Sequence, residues 1–303
     1  MKLVTGASGF IGSNLMEELS KKHEIIGLDI DISRKEFVKQ HSMLWTDVNM
    51  IEQFSKAFKD LDTIYHLAAS ADIRKSYEFP QMDLKNNVLG TNAVLELMRK
   101  NDIKNLVFSS TSSVYGIPEV QPTPENVPSI RPISMYGASK LANEAFVSAY
   151  CDLYGIKAWV FRFANVVGRN MHRGVIFDFM SKLKQNQYEL EILGNGKQEK
   201  SFFDVSDCVR GLIDIPAKDN NKSMNVYNLG NTGTITVKEI ADVVCEELGV
   251  SPEYTYTGGD RGWKGDTPST ILSINKAKKT GWLPRYSCKE SIIRTVRYLK
   301  DVI

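Results

Sequence analysis

Three glycines set two residues apart, Gly6-Ala-Ser-Gly9-Phe-Ile-Gly12, stand between an apolar run, Lys2–Thr5, and a segment in which Ile11, Leu15 and Leu19 recur at helical spacing. That order demands a strand turning tightly into a helix. The helix N-terminus presents unpaired N–H groups and the positive end of its dipole, and the glycines let a pyrophosphate and the strand itself come close. Asp29 follows the second apolar run, Glu24–Leu28, about twenty residues on, where a carboxylate accepts hydrogen bonds from a ribose diol and repels a 2′-phosphate. The pattern points to a dinucleotide, and to NAD over NADP, with Asp31 a second carboxylate nearby.

Further β-branched runs at Thr63–Leu67, Asn105–Ser109 and Lys157–Arg162 alternate with one-sided helical patterns from Leu84 to Met98 and from Leu141 to Tyr154. Such alternation predicts an α/β fold, a Rossmann-type doubly wound parallel sheet with helices on both faces. Five of the ten prolines fall between Pro118 and Pro132. That stretch is neither helix nor central strand, and a long stiffened loop after a strand reads as functional. After Gly168 the rhythm weakens. Thr236-Val-Lys-Glu239 is a capping box opening a helix that Gly249 stops. The expected division is an NAD-binding domain over 1–165, to which the chain returns around 202–230, and a smaller α+β substrate lobe from 166–201 and 231–303.

Composition excludes other classes. Lys plus Arg number 38 against 36 Asp plus Glu, a net +2 without long runs of one sign, so no footprint for nucleic acid or an anionic membrane is present. No apolar run approaches the roughly 20 residues of a bilayer span. The first strand leaves no room for a secretory leader ahead of it, and a cytoplasmic protein is expected. The four cysteines and four histidines are dispersed without zinc spacing, so no metal is expected. His66, on a buried strand, reads as a hydrogen-bonded core residue.

Tyr136-Gly-Ala-Ser-Lys140 puts a phenol and an ammonium on one helix face. A free phenol has a pKa of about 10. An ammonium about 6 Å away, at an effective dielectric near 20, is worth roughly 2.8 kcal/mol, or about two pKa units. With a comparable push from the positive nicotinamide ring, Tyr136 is expected to serve as a general base near neutrality, and Lys140 also to hold the nicotinamide ribose.

With these motifs the chain resembles the extended short-chain dehydrogenase/reductase family over nearly its whole length. The resemblance implies further roles. Gly6, Gly9, Phe10, Ile11, Gly12, Asp29 and Asp31 would hold the cofactor. Asp47-Val48 resembles the adenine-contacting pair, Leu67-Ala68-Ala69 the turn after the fourth strand, and Asn86-Asn87 the helix asparagines. Ser109, Tyr136 and Lys140 complete the cofactor set, and Thr111, in the segment Phe108–Gly116 that leaves the Asn105–Ser109 run, takes the place of the hydroxyl that bonds the reacting alcohol. Asn165, in Arg162-Phe-Ala-Asn165, resembles a diphosphate-holding asparagine. Lys200 stands where most relatives have Arg, in the nucleotide-clasping segment Gly194–Asp207. Arg261 and Asp266 resemble an RxGD element, here with two extra residues, and Arg261 is preferred over Lys264 for the diphosphate.

Dehydratases of this family carry an Asp-Glu pair after the catalytic Thr, and decarboxylases a Glu two positions on. Here Ser112 and Ser113 follow. The sequence is therefore most similar to the UDP-glucose/UDP-galactose 4-epimerases, which implies NAD, a nucleotide-diphosphate sugar substrate, and a homodimer through the helices carrying Asn86 and Tyr136. A nucleotide-sugar reductase or dehydratase, and a non-catalytic NAD-binding scaffold, are the alternatives; the base and the sugar stay open. Thr270, four residues past Asp266, is small where several relatives have an aromatic, which implies room for an N-acetyl group; Trp263 is the alternative wall.

Overall fold

The computed structural model describes residues 1–303 except 59, 220, 221, 263–266, 268, 301 and 303, with backbone alone for Arg74 and Thr270. Asp266, Lys264 and Trp263 lie outside the described residues, as does the Thr270 side chain.

The first half runs β1 (Lys2–Thr5), α1 (Phe10–Ser20), β2 (Ile25–Asp29), β3 (Ser42–Trp45), β4 (Thr63–His66), α2 (Ile73–Glu78), α3 (Pro80–Asp83), α4 (Gly90–Asn101), β5 (Asn105–Thr111), α5 (Met135–Tyr154) and β6 (Lys157–Phe163). 3₁₀ segments stand at Ile32–Phe37, Val48–Phe58 and Ser112–Tyr115, and a π-helical segment, Leu84–Leu89, joins α3 to α4. The second half continues with β7 (Asn165–Val167), α6 (Val175–Gln185), β8 (Glu189–Ile192), β9 (Glu199–Lys200), β10 (Phe202–Asp204), α7 (Val205–Lys218), β11 (Met224–Leu229), β12 (Ile235–Thr236), α8 (Val237–Leu248), β13 (Glu253–Tyr256), β14 (Ser269–Thr270), α9 (Asn275–Lys279) and α10 (Cys288–Lys300).

Seven strands form one sheet in the order β11-β6-β5-β4-β1-β2-β3, every pair parallel. The central strands are buried on both faces and read as continuous apolar runs, as in β5 and β6. Strand order reverses between β1 and β4, and in sheets of this kind ligands bind beyond the carboxyl ends at that point. The small sheets β7-β10, β8-β13 and β12-β9-β14 belong to the second half.

The apolar stretch from Leu141 and the Tyr136–Lys140 face form one helix, which begins at Met135. Ser134 caps it, its hydroxyl accepting from Gly137 N at 3.1 Å. Its first turns escaped the periodicity because they bury Gly137, Ser139 and Lys140 in place of an apolar stripe. The capping box at α8 is present in both directions, and Gly249 ends that helix at φ 72°. Strand β3 went unforeseen because it is an edge strand, only half-buried. Leu272, Ile274, Ala277 and Trp282 pack into the core of the large sheet together with Phe203, Tyr227 and Leu229. Among the described residues no helix is long and apolar enough to cross a membrane.

Candidate active site

A cleft of about 450 Å³ opens at the carboxyl ends of β1, β2, β4 and β5. It is lined by Gly6, Gly9, Phe10, Ile11 and Gly12 from the first turn, Asp29 and Asp31 after β2, and Asp47-Val48 after β3. Leu67-Ala68-Ala69 after β4, Asn86, Ser109, Tyr136 and Lys140 complete the lining expected from the sequence. All sixteen residues expected to hold a cofactor thus face one cavity.

The glycines are dictated by contact. A Cβ on Gly12 would stand 1.9 Å from the Gly6 carbonyl oxygen, and one on Gly6, at φ 70°, would stand 2.7 Å from Ala68 N. Gly9 is the N-cap of α1 and brings no side-chain cap, so the first-turn N–H groups are left for an anion. Asp29 accepts from Ser8 N at 2.9 Å and Asp31 N at 3.0 Å, which ties the glycine turn to the end of β2. Asp31 in turn caps the 3₁₀ turn after it, accepting from Ser33 N at 3.1 Å, and Asp47 accepts from Asn49 N at 2.9 Å. Uncapped N–H donors, carboxylates at the second strand and an elongated cleft running to Tyr136 and Lys140 together fit NAD.

Thr111, Tyr136 and Lys140 converge where β5 ends against α5. Lys140 is buried, and its Nζ donates to the Ser109 carbonyl at 2.8 Å while lying 4.8 Å from the Phe108 ring centre. Thr111 Oγ1 caps its own turn, accepting from Ser113 N at 3.1 Å, and also interacts with the Tyr136 hydroxyl. Burial pushes the Tyr136 phenol up to about 12, against lowering influences from Arg173 and the Thr111 hydroxyl. Burial pulls the Lys140 ammonium down to about 7, against the opposing pull of Glu144 and Asp83. His66 is the core residue the sequence suggested: it bonds Thr5 Oγ1 at 2.7 Å and Thr91 Oγ1 at 3.0 Å, and burial lowers its pKa to about 3.

Of the residues expected to hold substrate, Tyr136 lines this cleft and Asn165, Lys200 and Arg261 do not. Asn165 Nδ2 donates to the Ser201 carbonyl at 3.1 Å, joining β7 to the chain entering β10. Lys200 lies half-buried in β9, and Arg261 is exposed.

Sequence reasoning missed two sets of residues. Arg34, His172 and Arg173 also line the cleft, and Arg34 crosses it, donating to the Asn170 carbonyl at 3.1 Å and meeting His172 Nε2 at 3.3 Å. Beneath the site, Glu144 takes a buried salt bridge from Arg162 at 2.6 Å and a hydrogen bond from Ser110 at 2.5 Å. Arg162 also donates to Tyr115 Oη at 2.9 Å. The signal for Glu144 was its place four residues after Lys140, on the same helix face.

Comparison with known proteins agrees with this geometry. The NAD dependent epimerase/dehydratase family matches residues 2–230. A provisionally named UDP-glucose 4-epimerase of Methanocaldococcus jannaschii is 36% identical over 99% of both chains. A UDP-glucuronate 4-epimerase of Thermodesulfobacterium geofontis is 30% identical, covering 99% of this chain and 96% of its own. The crystal structure of a UDP-glucose 4-epimerase from Thermotoga maritima, with UDP-glucose, superposes with a TM-score of 0.90 at 30% identity over 99% of both chains. This chain belongs to the NAD-dependent epimerase/dehydratase family.

Proposed function

We propose that the protein inverts the C4 configuration of a nucleoside-diphosphate sugar, with UDP-glucose and UDP-galactose the first candidates and their N-acetylated forms further ones. The observation that carries this reading is that Tyr136 and Lys140 line the cleft with the Thr111 hydroxyl against Tyr136, and that Ser112 and Ser113 stand where dehydratases and decarboxylases place an acid. No carboxylate stands there to remove water or carbon dioxide, which leaves oxidation of a carbinol and its reversal.

Thr111 orients the reacting hydroxyl, and Tyr136 takes its proton and later returns it. Bound NAD supplies a reversible hydride acceptor. Lys140 holds positive charge beside the phenol and presents a donor to the ribose. In the cofactor-free chain the phenol sits at about 12, so its ionisation draws on positive charge brought into the cleft as well as on Arg173. Asn165, Lys200, Arg261 and Asp266 are proposed to hold the nucleotide diphosphate while the keto sugar turns over. Asp29 and Asp31 select the unphosphorylated ribose.

The same reading assigns cofactor binding to 1–165 with a return around 202–230, and substrate binding to 166–201 and 231–303. It includes a homodimer, supported by exposed Leu84, Leu89, Phe146 and Leu153 on the π-helical segment and α5, and a cytoplasmic setting. Purified protein should carry NAD by absorbance and mass, and proton NMR should show UDP-glucose and UDP-galactose interconverting without net change of cofactor. Stoichiometric cofactor oxidation would make it a reductase, and bound NAD without turnover of any UDP-sugar a scaffold.

A further inference from the structure

Asp83, the last residue of α3, is 1% exposed, and its carboxylate oxygens are treated unequally. Oδ1 accepts from Asn87 Nδ2 at 3.1 Å, whereas Oδ2 is buried with no hydrogen-bond partner among the described residues. A buried carboxylate with a vacant oxygen is costly unless a positive charge nearby compensates it.

One chain of hydrogen bonds leads from Asp83 to the Tyr136 carbonyl, and a second contact, through Ser76, reaches its N–H. The Ser76 hydroxyl interacts with the carboxylate and accepts from Tyr136 N at 2.9 Å. On the other side, Asn87 Nδ2 donates to Ser139 Oγ at 2.9 Å, and Ser139 Oγ donates to the Tyr136 carbonyl at 2.8 Å. Asp83 thus braces the C=O of the proposed base through Asn87 and Ser139, and acts on Ser76, which holds its N–H.

The charges around it narrow its role. Tyr136, Lys140 and Glu144 face this region from α5, and Arg173 acts on Tyr136 from the loop after β7. Lys75 and Glu78 of α2 and Lys85 of the π-helical segment are exposed. Glu144 is committed to Arg162 of β6, both side chains 5% exposed. Lys140 rests on the Ser109 carbonyl and the Phe108 ring, so its ammonium is not matched by a bonded carboxylate.

We propose that Asp83 is a positioning residue for the Tyr136/Lys140 pair, bracing the Tyr136 backbone and supplying the buried negative charge that balances the Lys140 ammonium. This rests on the reading of Tyr136 and Lys140 given above. Its charge acts on the two groups in one direction, since it favours the ammonium of Lys140 and disfavours the phenolate of Tyr136.

The test is the pH profile of kcat for the Asp83→Asn holoenzyme beside wild type. Loss of the negative charge favours the phenolate and disfavours the ammonium, so both limbs should move to lower pH, by about half a unit or more. A lower kcat with both limbs in place would reduce Asp83 to a packing residue and overturn the proposal. A melting-temperature cycle of Lys140→Met, Asp83→Asn and the double variant is independent of activity. The double variant should melt above Lys140→Met alone, because the uncompensated carboxylate is gone; additive losses would overturn the charge pairing. Tyr136→Phe, run in parallel, separates the two readings: if it still turns over, the base assignment fails, whereas its inactivity alongside stationary limbs in Asp83→Asn removes Asp83 alone.

Discussion

Lys140 Nζ donates to the main-chain carbonyl of Ser109 at 2.8 Å, so the side chain that sequence spacing pairs with Tyr136 also fastens α5 to the end of β5. Replacing it removes a charge and a clamp together. Lys140→Ala should therefore lose both cofactor affinity and rate, measured by NAD titration and by kcat. A variant that loses rate with NAD affinity intact would confine Lys140 to the phenol.

Tyr136→Phe removes only the hydroxyl from a half-buried ring. Loss of a general base costs about 10²–10⁴ in rate. Turnover should fall by that order while NAD titration and the melting temperature stay near wild type. Retention of more than about a tenth of kcat would take Tyr136 out of the role.

Asp29→Ala should relax the preference for NAD over NADP. The structure adds a second consequence, because Asp29 accepts from Ser8 N and Asp31 N. The variant leaves the N–H of buried Ser8 unpaired, at a cost of about 1–3 kcal/mol, and its melting temperature should drop, whereas exposed Asp31 N can turn to water. An unchanged NAD:NADP binding ratio would pass selectivity to Asp31.

His66 stays neutral in the folded chain down to about pH 3, while an unfolded imidazole titrates near 6.5. Between those values the unfolded state holds the extra proton, so stability falls as pH is lowered through this window. His66→Gln should flatten the acid side of a stability–pH curve. Imidazole NMR shifts should show His66 unprotonated at pH 5; a His66 midpoint near 6 would contradict the burial argument.

Glu144→Gln leaves Arg162 as an uncompensated buried charge. Breaking a buried pair by one partner costs about 3–5 kcal/mol. Urea unfolding should report a loss of that order, and Glu144→Gln with Arg162→Met should recover part of it. No recovery would show that the Ser110 and Tyr115 bonds, not the ion pair, hold the site's floor.

What the sequence made legible follows chain separation. The glycine turn, Asp29, Asp47 and the Tyr136–Lys140 pair each announce themselves within a few residues, and β1 runs over the residues the apolar pattern picked out. Asp83 and Ser139 escaped notice, and Asn87 was noticed only as a helix asparagine, because their meaning lies in a contact between positions 52 apart, Asn87 with Ser139. Asn228 is more remote still, reading the carbonyls of Thr123 and Ser273 with one side-chain amide. Burial of Tyr136 was equally invisible, since spacing supplies the neighbouring charge but not the loss of water around the phenol.

The proline-stiffened loop carries a consequence for how the molecule comes apart. Thr123 N donates to the Ile271 carbonyl at 2.8 Å and Ser273 N to the Thr123 carbonyl at 2.9 Å, so residues 271–273 are stitched to the loop that follows β5. A few residues on, Trp282 is buried beside Phe203, with the two ring planes at 88°. The parts of the chain that differ in texture are therefore not independent cooperative units. Scanning calorimetry should record a single endotherm with a calorimetric to van't Hoff enthalpy ratio near one, and amide exchange in β8 and β13 should share the protection of the sheet and not melt ahead of it.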